Sequence, residues 1–176
     1  MLEVACCFGQ VLRQLVADGA PTGSLVGTDL RPDFIELGYD LFRDKNKLDA
    51  EFVTGDILDN TSLKTLDGRF DIIHVASFFH LFAWDDQVKA GVRIVNFFRS
   101  GAKALIVGRQ VGTRQPEDLR SDSGGLRYLH NIETFQALWD AIGARTGTNW
   151  KVTGELIDSN FDDVPRVLLR FAIFVL

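Results

Sequence analysis

Leu2-Glu3-Val4-Ala5-Cys6-Cys7-Phe8-Gly9-Gln10 is the stretch on which the reading of this chain turns. It starts as the stub of an apolar strand, Leu2 to Ala5, and passes through small residues into a segment with apolar positions Val11, Leu12, Leu15 and Val16. That spacing marks one face of a helix, and Asp18-Gly19 offers the turn that ends it. Small residues between a strand and a helix let the backbone approach a ligand, and the free N–H groups of the helix start favour an anionic one. Dinucleotide-binding turns space their glycines G-x-G-x-x-G; here that pattern falls on Ala5, Cys7 and Gln10 and meets no glycine. The spacing G-x-G-x-G falls on Ala5, Cys7 and Gly9, two small substitutes and one true glycine. An ordinary strand-to-helix turn is the plain alternative.

Outward from this loop, short apolar runs alternate with longer amphipathic ones, the pattern of a parallel α/β sheet. Ser24 to Thr28 reads as a second strand closed by Asp29, and Pro32-Asp33-Phe34 opens a second helix. Glu51 to Thr54 is a third strand, closed by Gly55-Asp56. Phe70 to Ala76 is a fourth, apolar enough to be buried on both faces, with His74 in the core. A helix over Asp85–Phe98 leads to a fifth strand, Ala102–Val107. Arg109–Leu129 is polar and reads as a long surface loop. A helix over Ile132–Ala144 precedes a sixth strand, Trp150–Leu156, and a final one, Arg166–Leu176. The link between those two, with Asp158, Ser159, Asn160, Asp162 and Asp163, is too short for a parallel crossover, so it predicts an antiparallel hairpin. The expectation is a single domain over residues 1–176.

Bulk composition narrows the function classes. With 46% hydrophobic and 24% charged residues the chain has a soluble, globular profile. A net charge of −5 and singly scattered Arg31, Lys45, Lys47 and Arg93 argue against a nucleic-acid partner, which needs clustered cations. No apolar run approaches the roughly 18 residues of a membrane span. The adjacent Cys6 and Cys7 suit no ordinary disulfide, and no signal peptide precedes them, so a reduced, cytoplasmic protein is expected. Three separated histidines and a Cys-Cys pair lack ligand spacing, so no metal is expected.

Ligands of open α/β sheets bind beyond the carboxyl ends of the strands. Asp29, twenty residues after Gly9, ends the second strand, where a carboxylate can accept both hydroxyls of a ribose or, alternatively, cap the next helix. Asp56 ends the third strand; it can accept from an adenine amino group while Ile57 packs on the ring, or act as a simple turn aspartate. Three strand ends in order thus carry the groups that a nucleoside–amino-acid cofactor needs.

The stretches Leu2 to Gln10, Gly27-Thr28-Asp29-Leu30-Arg31-Pro32, Gly55-Asp56-Ile57 and Phe70-Asp71-Ile72-Ile73-His74 resemble the successive motifs of class I methyltransferases. Ser77-Phe78-Phe79-His80-Leu81-Phe82-Ala83-Trp84-Asp85, Val107-Gly108-Arg109-Gln110-Val111-Gly112 and His130-Asn131 are similar, more narrowly, to fungal secondary-metabolite O-methyltransferases of the meroterpenoid type. The resemblance implies a Rossmann-like, mostly parallel seven-stranded sheet ending in an antiparallel hairpin. It implies S-adenosylmethionine (SAM) as cofactor, held by Glu3, Ala5, Cys7, Gly9, Asp29, Leu30, Asp56 and Ile57. Two departures stand out. The family carries glycine where this chain has Ala5, and its members have N-terminal helices ahead of the first strand, where here Met1 abuts it.

Methyl transfer needs alignment and exclusion of water more than it needs acid–base help. His80, just past the fourth strand, is the candidate base or hydrogen-bond partner, with a structural role as its alternative. Arg109 and Gln110, ending the fifth strand, are substrate candidates; Arg109 can hold a carboxylate or make a surface salt bridge. Phe79, Trp84 and His130 complete the expected substrate set, with Arg127 and Asn131 behind them. The aromatics Phe78, Phe79, Phe82 and Trp84 suit a small, apolar natural product or plain core packing. The leading expectation is O-methylation of such a substrate. An isomerisation or cyclisation in the same pocket is the second reading. The third is a non-catalytic subunit, with homo-oligomerisation through the apolar surface that absent helices leave exposed.

Overall fold

The computed structural model describes residues 1–120, 125–161 and 164–176, and in it the loop at Gly9 is the first of a series of strand-to-helix turns. Strand β1 (Leu2–Val4) feeds helix α1 (Gln10–Ala17), β2 (Val26–Asp29) feeds α2 (Pro32–Phe42), and β3 (Glu51–Thr54) follows. Then come β4 (Ile72–Ala76), α3 (Trp84–Asn96), β5 (Leu105–Gly112), the short pair β6 (Glu117–Arg120) and β7 (Leu126–Leu129), α4 (Ile132–Thr146), β8 (Trp150–Phe161) and β9 (Val164–Val175). Helix α2 begins on Pro32, whose fixed φ suits a first turn. Helix α4 is closed by a capping box between Asn131 and Thr134 and stopped by Gly147 in the left-handed region, a start worth about 1 kcal/mol.

The sheet has seven strands in the order β3-β2-β1-β4-β5-β9-β8, parallel except for β9, which runs against both β5 and β8. The predicted α/β class, mostly parallel seven-stranded sheet and C-terminal antiparallel hairpin are all present. Crossovers run one way from β1 to β3 and the other way from β4, so the switch point where ligands collect lies between β1 and β4.

Helices α3 and α4 pack on one face, through Val88, Ile94, Phe135, Leu138, Trp139 and Ile142 against Ile73, Val75 and Ile106. The i, i+3, i+4, i+7 spacing of Phe135, Leu138, Trp139 and Ile142 puts all four on one stripe of α4, each fully buried. Helix α1 lies on the opposite face, packing Leu12 with Leu25 and Ala50.

Several expected boundaries move, each because strand pairing overrides local pattern. The fifth strand runs on to Gly112, because eight residues of β5 pair with Leu105↔Phe174 to Gly112↔Val167 as register. The sixth runs on to Phe161, paired along its length with β9; Asp162 and Asp163 lie outside the described residues. The expected loop over Arg109–Leu129 holds the end of β5 and the β6–β7 hairpin, with Ser121 to Gly124 outside the described residues. The fourth strand is not buried on both faces. Ile73 and Val75 are buried, whereas Ile72 is 42% exposed and His74 only half-buried, because α3 and α4 cover one face alone. No helix among the described residues is long and apolar enough to cross a membrane.

Candidate functional site

A cavity of about 1200 Å³ opens at the carboxyl ends of β1, β2 and β4 and continues over the faces of β5, β9 and β8. It exceeds the roughly 300–1,000 Å³ of an ordinary ligand pocket and has room for two reactants side by side.

The loop after β1 forms its floor. Ala5 (φ 56°), Cys7 (φ 52°) and Gly9 (φ 66°) all sit in the left-handed region. The three positions picked out by the G-x-G-x-G spacing are therefore the three that need a glycine conformation. An L-residue there costs roughly 1–2 kcal/mol, so Ala5 and Cys7 carry strain that Gly9 does not. Cys7 N–H donates to Asp29 Oδ2 at 2.8 Å, and Arg31 N–H donates to Asp29 Oδ1 at 3.0 Å. Each carboxylate oxygen is thereby aimed and keeps a lone pair for a hydroxyl of a ligand. Asp29 is not the cap of α2, since that position belongs to Arg31. Asp56 is held in the same way: Leu58 N–H donates to its Oδ1 at 2.8 Å, and its own N–H donates to Ser62 Oγ at 3.1 Å. Ile57 is buried beside it and Leu30 stands 61% exposed at the rim, both on the cavity wall.

Glu3 is 4% exposed, and its Oε2 has no hydrogen-bond partner among the described residues. A buried carboxylate oxygen left unsatisfied is costly, which fits a cation arriving from the cavity that Glu3 lines. His74 faces the same space, paired in register with Glu3, its Nδ1 3.4 Å from Glu3 Oε1 but without hydrogen-bond alignment. The expectation that His74 is core is corrected: odd-numbered Ile73 and Val75 point to the helices, so His74 must point the other way. Burial pushes the Cys6 and Cys7 thiols up, so both stay protonated at neutral pH.

The far wall is made of side chains. Ser77 follows β4 with φ 51°, its N–H donating to Arg109 carbonyl oxygen at 2.7 Å. Phe78 and Phe82, ring centroids 5.1 Å apart, line the cavity with Leu81. Arg109 lines it too, opposite Arg170 in the β5–β9 register. Arg170 is paired with Glu155, whereas no carboxylate among the described residues pairs with Arg109.

The remaining expected residues are placed elsewhere. Phe79 is fully buried against Phe135 and Trp139. Trp84 packs on Tyr128 and His130 rather than on the cavity. Gln110 is 1% exposed on the face opposite Arg109, as neighbours on a strand must be. His130 is fully buried, its Nε2 2.9 Å from Gln87 Oε1 and its Nδ1 3.2 Å from Thr134 Oγ1. His80 lies inside the turn Phe79–Leu81 and off the cavity wall, its pKa lowered to about 4 by burial and by the charges of Arg127 and Arg166. Phe78 and Leu81 on either side of it line the cavity instead.

Sequence reasoning missed Ser77, His74 and the β9 contribution of Arg170, Phe171 and Ala172. The alternation Ile72, His74, Ala76 was the available signal for His74. Nothing local announces Ser77 or β9.

A strand order with a reversed last strand and a ligand crevice between β1 and β4 defines a nucleoside-cofactor fold of the Rossmann-like kind. The profile of the methyltransferase domain family matches residues 1–101, and the chain belongs to that family. It is 40% identical over 164 residues to the O-methyltransferase phiE of Fungal sp. (strain ATCC 74256), covering 91% of this chain and 55% of that protein. It is 37% identical over 160 residues to the O-methyltransferase atr3 of Stereocaulon alpinum, covering 89% and 46%. With the Asnovolin E/Chermesin D methyltransferase nvfJ of Aspergillus novofumigatus the identity is 33% over 180 residues, covering 98% and 64%. The chain thus spans about half to two thirds of the length of these curated relatives. The fold matches a SAM-dependent methyltransferase from Methanosarcina mazei, with a TM-score of 0.70, 14% identity and coverage of 99% and 90%. It matches equally the Burkholderia thailandensis 1,6-didemethyltoxoflavin-N1-methyltransferase solved with S-adenosylhomocysteine, with a TM-score of 0.70, 12% identity and coverage of 98% and 69%.

Proposed function

We propose that this chain is the cofactor-binding core of a SAM-dependent methyltransferase that methylates an oxygen of a small, apolar natural product. The observation that carries the reading is the Asp29 carboxylate, oriented by two backbone N–H groups beside a loop whose three small positions all adopt φ near 60°. SAM, when bound, supplies a methyl group already activated on a sulfonium. The protein's part is to bind, orient and keep water out. Asp29 accepts the ribose hydroxyls, Asp56 and Ile57 take the adenine, and the orphan Oε2 of Glu3 accepts the ammonium of the amino-acid portion. Phe78, Phe82 and Leu81 give the acceptor an apolar bed, and the guanidinium of Arg109, which pairs with no carboxylate among the described residues, holds the negative charge of a carboxylate or phenolate oxygen until the bond to the methyl group neutralises it. The net charge of −5 and the absence of clustered cations support a small-molecule acceptor over a nucleic acid.

Titration calorimetry with SAM and with S-adenosylhomocysteine tests the cofactor reading. Saturable binding of both is expected, and no heat at millimolar ligand overturns it. Transfer of a labelled methyl group to apolar carboxylic acids or phenols tests the acceptor class; labelling of amines alone overturns the oxygen assignment.

A further inference from the structure

The strain in the cofactor loop needs a restraint, and Arg13 supplies one from outside the cavity. Ala5 and Cys7 hold φ values of 56° and 52°, which neither residue prefers. Between Cys7 and Gly9 the carbonyl of Phe8 is gripped from two sides. Arg13 Nη1 donates to it at 2.5 Å, and Gly38 of α2 lies so close that a Cβ there would meet the same oxygen at 2.4 Å. The other two nitrogens of Arg13 fork onto Asp44, Nε to Oδ2 at 2.7 Å and Nη2 to Oδ1 at 2.9 Å. The two side chains are only 9% and 17% exposed. The guanidinium also lies 4.7 Å from the Phe42 ring centroid and 5.3 Å from that of Tyr39, so it cannot swing away. Asp44 is anchored in turn, its carbonyl accepting from Lys47 and Leu48 N–H groups.

We propose that the buried Arg13–Asp44 pair is a brace that holds the loop in the glycine-like conformation which Ala5 and Cys7 disfavour, and so positions the cofactor without touching it. This rests on the reading of that loop as the SAM site. Neither residue lines the cavity. Arginine is required because a planar fork alone can serve a carboxylate and a carbonyl at once.

The test is a double-mutant cycle on the intact chain, with S-adenosylhomocysteine as calorimetric probe. Arg13→Gln weakens binding about tenfold in the native loop, the value of one charge-assisted hydrogen bond. In an Ala5→Gly/Cys7→Gly background, where the loop no longer needs restraint, the same change costs about twofold or less. Equal losses in both backgrounds overturn the brace. Asp44→Asn leaves every ring contact in place, and it is expected to move binding in the same direction; it replaces Arg13→Gln in the cycle if that variant fails to fold. A readout independent of cofactor is the rate at which iodoacetamide alkylates the partly exposed Cys7. Either single variant should raise it severalfold, and an unchanged rate overturns the proposal. Native protein that binds no S-adenosylhomocysteine counts against the cofactor reading alone, and the alkylation rate then decides the brace.

Discussion

The two halves of the cavity are built from different material. At the ends of β1, β2 and β3 the wall is mostly backbone: three residues with positive φ, and two aspartates aimed by N–H groups of Cys7, Arg31 and Leu58. At β4, β5 and β9 it is side chain: Phe78, Phe82, Arg109 and Arg170, supported from behind by Gln87. Backbone geometry can recognise a group common to many enzymes, since it depends little on which side chains surround it. A side-chain wall can be rebuilt for each acceptor. On the proposed function the first half is thus the general cofactor seat and the second the particular acceptor seat.

This comparison breaks most visibly at Asp29. Asp29→Ala removes two charge-assisted contacts and the aim of Cys7 N–H, so calorimetry should find SAM binding weakened at least about 100-fold. An unchanged affinity would take the backbone half out of the cofactor site.

Gln87 tests the other half. Fully buried, it donates to the carbonyls of Phe82 and Tyr128 at 3.0 and 2.9 Å and accepts from His130 Nε2. Gln87→Leu strands the Tyr128 carbonyl and His130 Nε2, while the Phe82 carbonyl keeps the Tyr128 N–H, and should cost about 3 kcal/mol in urea unfolding. Acceptor turnover should fall with it while S-adenosylhomocysteine affinity stays; a parallel loss of cofactor affinity would show the halves to be one unit.

Protonation should loosen the same region. His80 and His130 both have pKa values lowered from 6.5 to about 4, in each case chiefly by burial. Between those two values the unfolded chain binds protons that the folded chain refuses. Stability is therefore complete above about pH 6.5 and lost as pH falls toward about 4. Unfolding midpoints measured across that window should decline, and a flat profile would show both rings to be solvated.

Arg109→Met should have the smallest effect. Loss of one cavity-facing charge is expected to raise the acceptor KM about tenfold, with no change in S-adenosylhomocysteine binding. A shift in cofactor affinity instead would move Arg109 to the backbone half.

The same division explains what could be read from the chain. Ala5, Cys7 and Gly9 were legible because their spacing reflects a local conformation, and Asp29 and Asp56 because a strand end can be found from its own residues. The C-terminal hairpin was legible from a short link. On the other side, Arg109 and Gln110 are adjacent and equally plausible in sequence, yet strand alternation sends one into the cavity and the other under α4's face of the sheet. His80 was lost to a single turn over Phe79–Leu81, and the continuation of β5 to Gly112 exists only because β9 pairs with it.

The sequence alone determined the α/β order, the antiparallel end and the strand-end placement of Ala5, Cys7, Gly9, Asp29 and Asp56, because these follow from propensities and spacings within a few residues. Only the tertiary structure decided that His74 shares the cavity with Glu3, that Phe79 and His130 are core, and that β9 brings Arg170 beside Arg109. Those placements depend on which distant strands pair and in what register, and one residue of register changes the face of every side chain.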